Sequence, residues 1–204
     1  MWKTRASIKF PARSLITSLL FATVFISACS GLNQSDKPAT TTWWLDALGE
    51  GVSVSPTDPA VKVDVTVTVV PGLDTHRILT LSNNAELNKY AGARWADSLP
   101  ELVGSLVSRS LVASGRFEIV SSRGGTDACD LELEVQEFYA RLDAGGHTTG
   151  TQVAMDGFYR CDGAESVRIQ LNASAPVHDD RMAVIVAAFQ GALDEVTKGL
   201  LNSL

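Results

Sequence analysis

The stretch CDLELEVQEFYAR, residues 129–141, places Cys129, Leu131, Leu133 and Val135 on one side of the chain and Asp130, Glu132, Glu134 and Gln136 on the other. Alternation with period two is the mark of a strand with one buried face. The run from Thr151 to Cys161 repeats it, with Val153, Met155, Tyr159 and Cys161 at odd positions and Gln152, Asp156 and Arg160 among the even ones. Gly145-Gly146 lies midway, so the natural folding is an antiparallel hairpin that sets Val135 against Met155, Leu131 against Tyr159, and Cys129 against Cys161. A slip of one residue would turn every apolar side chain outward. Facing residues approach to about 4.5–5.5 Å at Cα, within disulfide reach.

Working outward, Asp162-Gly163 turns the chain into another alternating strand. Val167, Ile169, Leu171, Ala173 and Ala175 are apolar, Arg168, Gln170, Asn172 and Ser174 are polar, and Pro176 ends the run. A two-residue turn would pair odd with even positions, so a three-residue loop or a bulge is expected. Upstream, Val61, Val63, Val65, Val67 and Val69 alternate with Lys62, Asp64, Thr66 and Thr68 as a half-buried strand, closed by Pro71-Gly72.

Ser98-Leu99-Pro100-Glu101 has the spacing of a capping box, and Leu99, Leu102, Val103, Leu106, Ser110 and Ala113 then recur at helical intervals until Gly115. Arg116 to Ser121 reads as a strand with Phe117 and Ile119 on one side. Asp179 or Asp180 can cap a final helix striped by Val186, Phe189, Leu193, Val196, Leu200 and Leu204. Trp43-Trp44-Leu45 either begins the fold as a short strand or forms an exposed patch, and the strand is favoured. The expected architecture is α+β, a mostly antiparallel sheet with two helices covering its one apolar face.

The third cysteine stands apart. Residues 1–14 carry Lys3, Arg5, Lys9 and Arg13 without an acid, and an uncharged run from Leu15 to Ala28 follows. This is the layout of a secretory signal, and the apolar run is shorter than the roughly 20 residues a spanning helix needs. Ile26-Ser27-Ala28-Cys29 resembles a bacterial lipobox, whose cysteine carries diacylglycerol and becomes the first residue after cleavage; an ordinary signal with an incidental Cys29 is the alternative. Two or more acyl chains anchor stably where one does not. The expected division is therefore 1–28 signal peptide, 29–42 lipidated tether and 43–204 folded domain. Residues 30–42 are polar and could reach roughly 40 Å when extended.

Export brings the chain into an oxidising compartment, which favours a Cys129–Cys161 disulfide over a pair of buried thiols. On the loop-entropy model the bridge is worth roughly 3–4 kcal/mol. No CxxC spacing or histidine pair supports a metal there.

Loss of residues 1–28 removes four positive charges and no negative ones, taking the net charge from −6 to −10. With Lys and Arg sparse and scattered, nucleic-acid binding is excluded as a reading. The motifs G-x-S-x-G, H-E-x-x-H, Walker A and G-x-G-x-x-G are absent, and His76, His147 and His178 sit on expected loops without partners positioned for general-base work. Gly124-Gly125 and Gly145-Gly146 read as turns, and Asp130, Glu132 and Glu134 as a solvated acidic face. The chain is read as a non-enzyme without cofactor beyond a covalent lipid on Cys29.

Four stretches, VDVTVTVVPGLDTHRILTL (63–81), YAGARWADSLPELVGSLVSRSL (90–111), GRFEIV (115–120) and DDRMAVIVAAFQGALDEVTKGLL (179–201), resemble the ABC-type transport auxiliary lipoprotein component family, which includes the PqiC-like lipoproteins. The most specific piece is Arg94-Trp95-Ala96 followed by Leu99 and its helix. The departure is at Gly72-Leu73-Asp74, where members often carry a tyrosine-containing P-x-Y-L-D stretch. The resemblance implies a periplasm-facing lipoprotein that accompanies MCE-domain proteins and an ABC permease and ATPase in moving lipids or other hydrophobic molecules. A homo-oligomer is compatible with it.

An envelope scaffold without a transport role is the alternative reading. A direct lipid carrier would need an interior cavity that one-faced strands do not supply. Trp95 is either a core plug at the helix start, which is favoured, or an interface anchor of the kind tryptophan often provides. Ser30 follows Cys29 in place of the aspartate that commonly retains lipoproteins at the inner membrane, so the expected address is the periplasmic face of the outer membrane, with the inner membrane as alternative.

Overall fold

The computed structural model describes residues 39–49, 59–121 and 128–204. In chain order the elements are β1 (Thr41–Trp43), β2 (Val61–Val69), β3 (Arg77–Leu81), β4 (Leu87–Trp95), α1 (Leu99–Ala113), β5 (Phe117–Ile119), β6 (Cys129–Leu142), β7 (Thr148–Arg160), β8 (Val167–Pro176) and α2 (Met182–Ser203). The eight strands form one sheet.

The sheet is mixed, which corrects the expectation of a mostly antiparallel one. Four ladders are parallel, β1 with β4, β2 with β5, β2 with β6 and β3 with β6. Three are antiparallel, β3 with β4, β6 with β7 and β7 with β8. The reason is chain distance. Antiparallel neighbours are joined by short turns that local patterns reveal, whereas parallel neighbours need long crossovers, here the 66-residue step from Val63 to its partner Cys129. β2 lies against Cys129–Val135 of β6 and β3 against Ala140 and Arg141 farther along the same edge. Between them β6 carries a bulge.

That bulge limits the simple hairpin register. Val135 pairs with Met155 and Leu131 with Tyr159 as the alternation requires, but Glu137 then pairs with Ala154 and Phe138 with Val153, leaving Gln136 as the extra residue. A bulge shifts which parity faces inward. Leu131, Leu133 and Val135 are buried before it, and Phe138 and Ala140 are buried after it. At the far end Gly146, at φ 82°, makes the turn, and the Asp143 carboxylate accepts hydrogen bonds from the backbone N–H groups of Gly145 and His147. β7 and β8 pair odd with odd, Tyr159 opposite Val167, across a six-residue connection.

Both helices lie on one face of the sheet. α1 buries Leu99, Leu102, Val103, Leu106, Val107, Ser110 and Leu111, and Gly104 sits over Val67 of β2, where an added Cβ would lie 3.7 Å from the valine Cβ. α2 buries Ile185, Val186, Phe189, Leu193, Val196 and Leu200. It runs so close to β8 that a Cβ on Gly199 would come within 2.9 Å of Leu171. Gly115, at φ 72°, ends α1 as expected.

The caps differ from expectation. Ser98 stands at the α1 N-cap, yet its hydroxyl makes no capping bond and is buried without a partner. Arg181, not an aspartate, is the α2 N-cap. Asp179 instead accepts from the Arg181 N–H, and Asp180 is drawn away to the β6–β7 turn. A short strand does open the described fold, but β1 spans Thr41–Trp43, inside the stretch assigned to the tether, rather than Trp43–Leu45, and Trp44 beyond it is exposed.

Candidate functional site

Trp95 closes β4 and is 1% exposed. Its ring packs edge-on to Phe138 of β6 at 5.8 Å and to Phe189 of α2 at 5.3 Å, while the two phenylalanines stack at 5.0 Å. Such aromatic contacts add to the burial of large apolar area. Trp95 therefore belongs to the core, and its candidacy as an interface residue is corrected: no surface of it is available to a partner. The missed hairpin of β3 and β4 is what carries it there.

Cys129 and Cys161 are joined by a disulfide, with their Cα atoms 4.1 Å apart. The bridge closes the open end of the β6–β7 hairpin. Cys29 lies outside the described residues. Among the described residues no cluster of His, Cys, Asp and Glu could hold a metal ion, and no helix is long and apolar enough to cross a membrane.

The opposite face of the sheet, against which neither α1 nor α2 packs, holds a concentration of charged and polar side chains. Asp64, Thr66 and Thr68 of β2 stand beside Asp130, Glu132 and Glu134 of β6. Those three in turn stand beside Arg160, Phe158 and Asp156 of β7, and Phe158 and Asp156 stand beside Arg168 and Gln170 of β8. Period two forces this arrangement, because the odd residues of the same strands are committed to the core. A groove of about 240 Å³ crosses the three strands, lined by Thr66, Thr68, Glu132, Glu134, Asp156 and Phe158.

Beside it, in an adjoining pocket, the Arg160 guanidinium donates to Asp130 at 3.0 Å and stands 3.8 Å from Glu132. Among the described residues Glu134 accepts only from the neutral Gln136 amide, at 2.6 Å. It faces Asp156 across the ladder, and like charges so placed are destabilising. Phe158 is 52% exposed. The strands also approach closely here, since a Cβ on Gly157 would clash with the Glu132 carbonyl oxygen.

A second polar cluster ties the β6–β7 turn to the segment entering α2. Asp180 accepts from the Thr148 N–H at 2.7 Å and pairs with His147 Nδ1 at 2.8 Å, and Thr148 shares a 2.7 Å hydrogen bond with the Tyr90 hydroxyl. The Asp180 carboxylate raises the His147 pKa, and the bond from His147 lowers that of Asp180. Beyond the bulge, burial together with the bond to Glu137 pushes the Tyr139 hydroxyl up to about 12. These contacts tie the β6–β7 turn to β4 and to the segment entering α2. His147 was met in the sequence only as a loop histidine, because its partner lies 33 residues away.

The chain belongs to the ABC-type transport auxiliary lipoprotein component family, whose model matches residues 44–200. This points to a non-catalytic, transport-associated role and to a membrane-anchored place in the envelope. Among solved structures the chain is similar to protein XCC0632 from Xanthomonas campestris, with 20% identity, a TM-score of 0.63, and coverage of 79% of this chain and 92% of that one. It is likewise similar to a structure described as an uncharacterized protein, at 12% identity and TM-score 0.63, covering 80% of this chain and 97% of that one. At such identities these two likenesses establish a shared fold alone. No curated protein sequence matches the chain.

Proposed function

We propose that this protein is a lipid-anchored auxiliary of an MCE/ABC-type system that moves lipids or other hydrophobic solutes between membranes, held on the periplasmic face of the outer membrane through Cys29. The family match over residues 44–200 is the observation that carries the reading, and the lipobox-like Ile26-Ser27-Ala28-Cys29 supports the anchor. The energy-coupling chemistry resides in the ATPase subunit, while this chain docks to an MCE-domain protein. The filled core around Trp95, Phe138 and Phe189 favours an auxiliary over a carrier that encloses its cargo.

Capture of the lipidated chain from native membranes tests this. Co-purification of an MCE-domain protein or the permease supports the reading, and repeated capture without any transport component overturns it. Palmitate labelling lost in Cys29→Ser, with outer-membrane density in a gradient for the wild type, supports the anchor; equal labelling of both chains removes it.

A further inference from the structure

Three properties coincide on the sheet face opposite α1 and α2. It carries an open groove, an aromatic ring half in solvent, and the three carboxylates of Glu132, Glu134 and Asp156 along the groove. Glu132, Glu134 and Asp156 line the groove, Asp130 beside them engages Arg160, and Lys62 and Arg168 stand on the same face along β2 and β8. Among the described residues no cation lies within ion-pair distance of Glu134 or Asp156, although the ladder holds these two carboxylates opposite each other. The flanking odd positions Leu133, Val135 and Met155 are buried on the other side of the sheet, so neither carboxylate has an inward site to turn to.

We propose that this face is a docking surface for an extended, cationic segment of a partner protein, with a Lys or Arg side chain lying between Glu134 and Asp156 and against the ring of Phe158. The inference rests on the reading that the chain works beside protein partners. A cation placed there removes the carboxylate repulsion and meets the negative face of the Phe158 ring, an attraction that strengthens as water is excluded. Its aliphatic stem covers the exposed ring edge.

The groove spans adjacent residues of three strands, about 10 Å from the first strand to the third, which three extended residues match. A phospholipid fits less well. Its headgroup amine arrives with a phosphate that the three carboxylates of the groove repel, and the groove is open rather than a slot enclosing an acyl chain. Electrostatic complementarity of this kind sets partner choice and on-rate, and it is salt-sensitive.

The test uses the whole mature chain in nanodiscs and a short fluorescent peptide of alternating Lys and Leu, with a matched Glu/Leu peptide and free phosphatidylethanolamine vesicles as competitors. The Lys/Leu peptide should bind. Its affinity should fall at least about tenfold in the Glu134→Lys/Asp156→Lys double variant, and several-fold in Phe158→Ser and in about 0.5 M salt. Circular dichroism checks each fold, and Glu134→Gln gives a milder second variant should the reversal fail to fold.

Equal binding of the two peptides overturns the proposal, as does unchanged affinity in the folded variants. Competition by the vesicles would assign the face to a lipid surface and equally overturn it. A chain that captures the transporter from membranes but shows none of these peptide effects loses this inference and keeps its proposed function; peptide binding without a captured transporter does the reverse.

Discussion

The two faces of β6 and β7 are made from the same residues taken alternately, yet they differ in almost every physical respect. On the helix side Leu131, Val135, Val153 and Met155 are at most 1% exposed. On the other side Glu132, Glu134 and Asp156 stand in or near solvent around a half-exposed Phe158. Burying a large apolar side chain is worth about 1.5–3 kcal/mol, whereas exposed positions change stability by about 0.5 kcal/mol or less. One face therefore holds the fold, and the other is free to vary its chemistry for recognition.

The sharpest way to break this contrast is to truncate one aromatic on each side. Phe189→Ala should lose about 3–5 kcal/mol in urea unfolding, because the Trp95–Phe138–Phe189 cluster cannot close the gap, while Phe158→Ala should change stability by about 0.5 kcal/mol or less. Comparable losses would mean that the open face is also structural.

The disulfide should give the next largest effect. Removing it as Cys129→Ala/Cys161→Ala should cost roughly 2–4 kcal/mol, and a reductant should lower the midpoint of the wild type but not of the double variant. A reductant that leaves the wild type unmoved would contradict this.

Smaller and opposite in sign, Glu134→Gln should stabilise the isolated domain by up to about 1 kcal/mol, because it removes a like-charged pair across the ladder. The gain should shrink as salt rises. Destabilisation instead would show that Glu134 already has a favourable role in the free domain.

The faintest effect should be the pH dependence of the turn. His147 has its pKa raised by Asp180, so its contribution is complete below its ordinary value of 6.5 and is lost as pH rises through the higher folded value. Asp180 is lowered, so its contribution is complete above 3.8 and fails as pH falls through the still lower folded value. The tie should be strongest at about pH 4–6. Slower amide exchange at Thr148 there than at about pH 8, after correction for the intrinsic rate, and loss of that difference in His147→Ala, would show it.

Local periodicity made most of this legible. The β6–β7 register up to Val135, the pairing of Cys129 with Cys161, the extent of α1 and the apolar stripe of α2 all follow from residues close in sequence or mirrored about one turn. What escaped depends on distant neighbours. The parallel union of β2 with β6 links segments that carry no mutual signal, so local patterns point to a mostly antiparallel sheet. β3 and β4 were missed because Arg77↔Arg94 and Leu79↔Lys89 straddle an irregular register, and Leu87 through Tyr90 shows no clean alternation. The bulge at Gln136 hid the inward turn of Phe138.

The candidate face was half visible: Asp130, Glu132 and Glu134 read as a solvated acidic row. That Asp156 stands opposite Glu134 was implicit in the hairpin register. Phe158 stood out less, since a single exposed aromatic is common on any surface.

The most direct test of the division between a structural and a partner-facing side is photo-crosslinking in native membranes from two positions of the lipidated chain. One crosslinker replaces Thr66 on the open face, and the other replaces Lys198 on the exposed side of α2. Crosslinks to a component of the transport system from position 66, with none from position 198, are the expected result. Crosslinks from position 198 alone would contradict it.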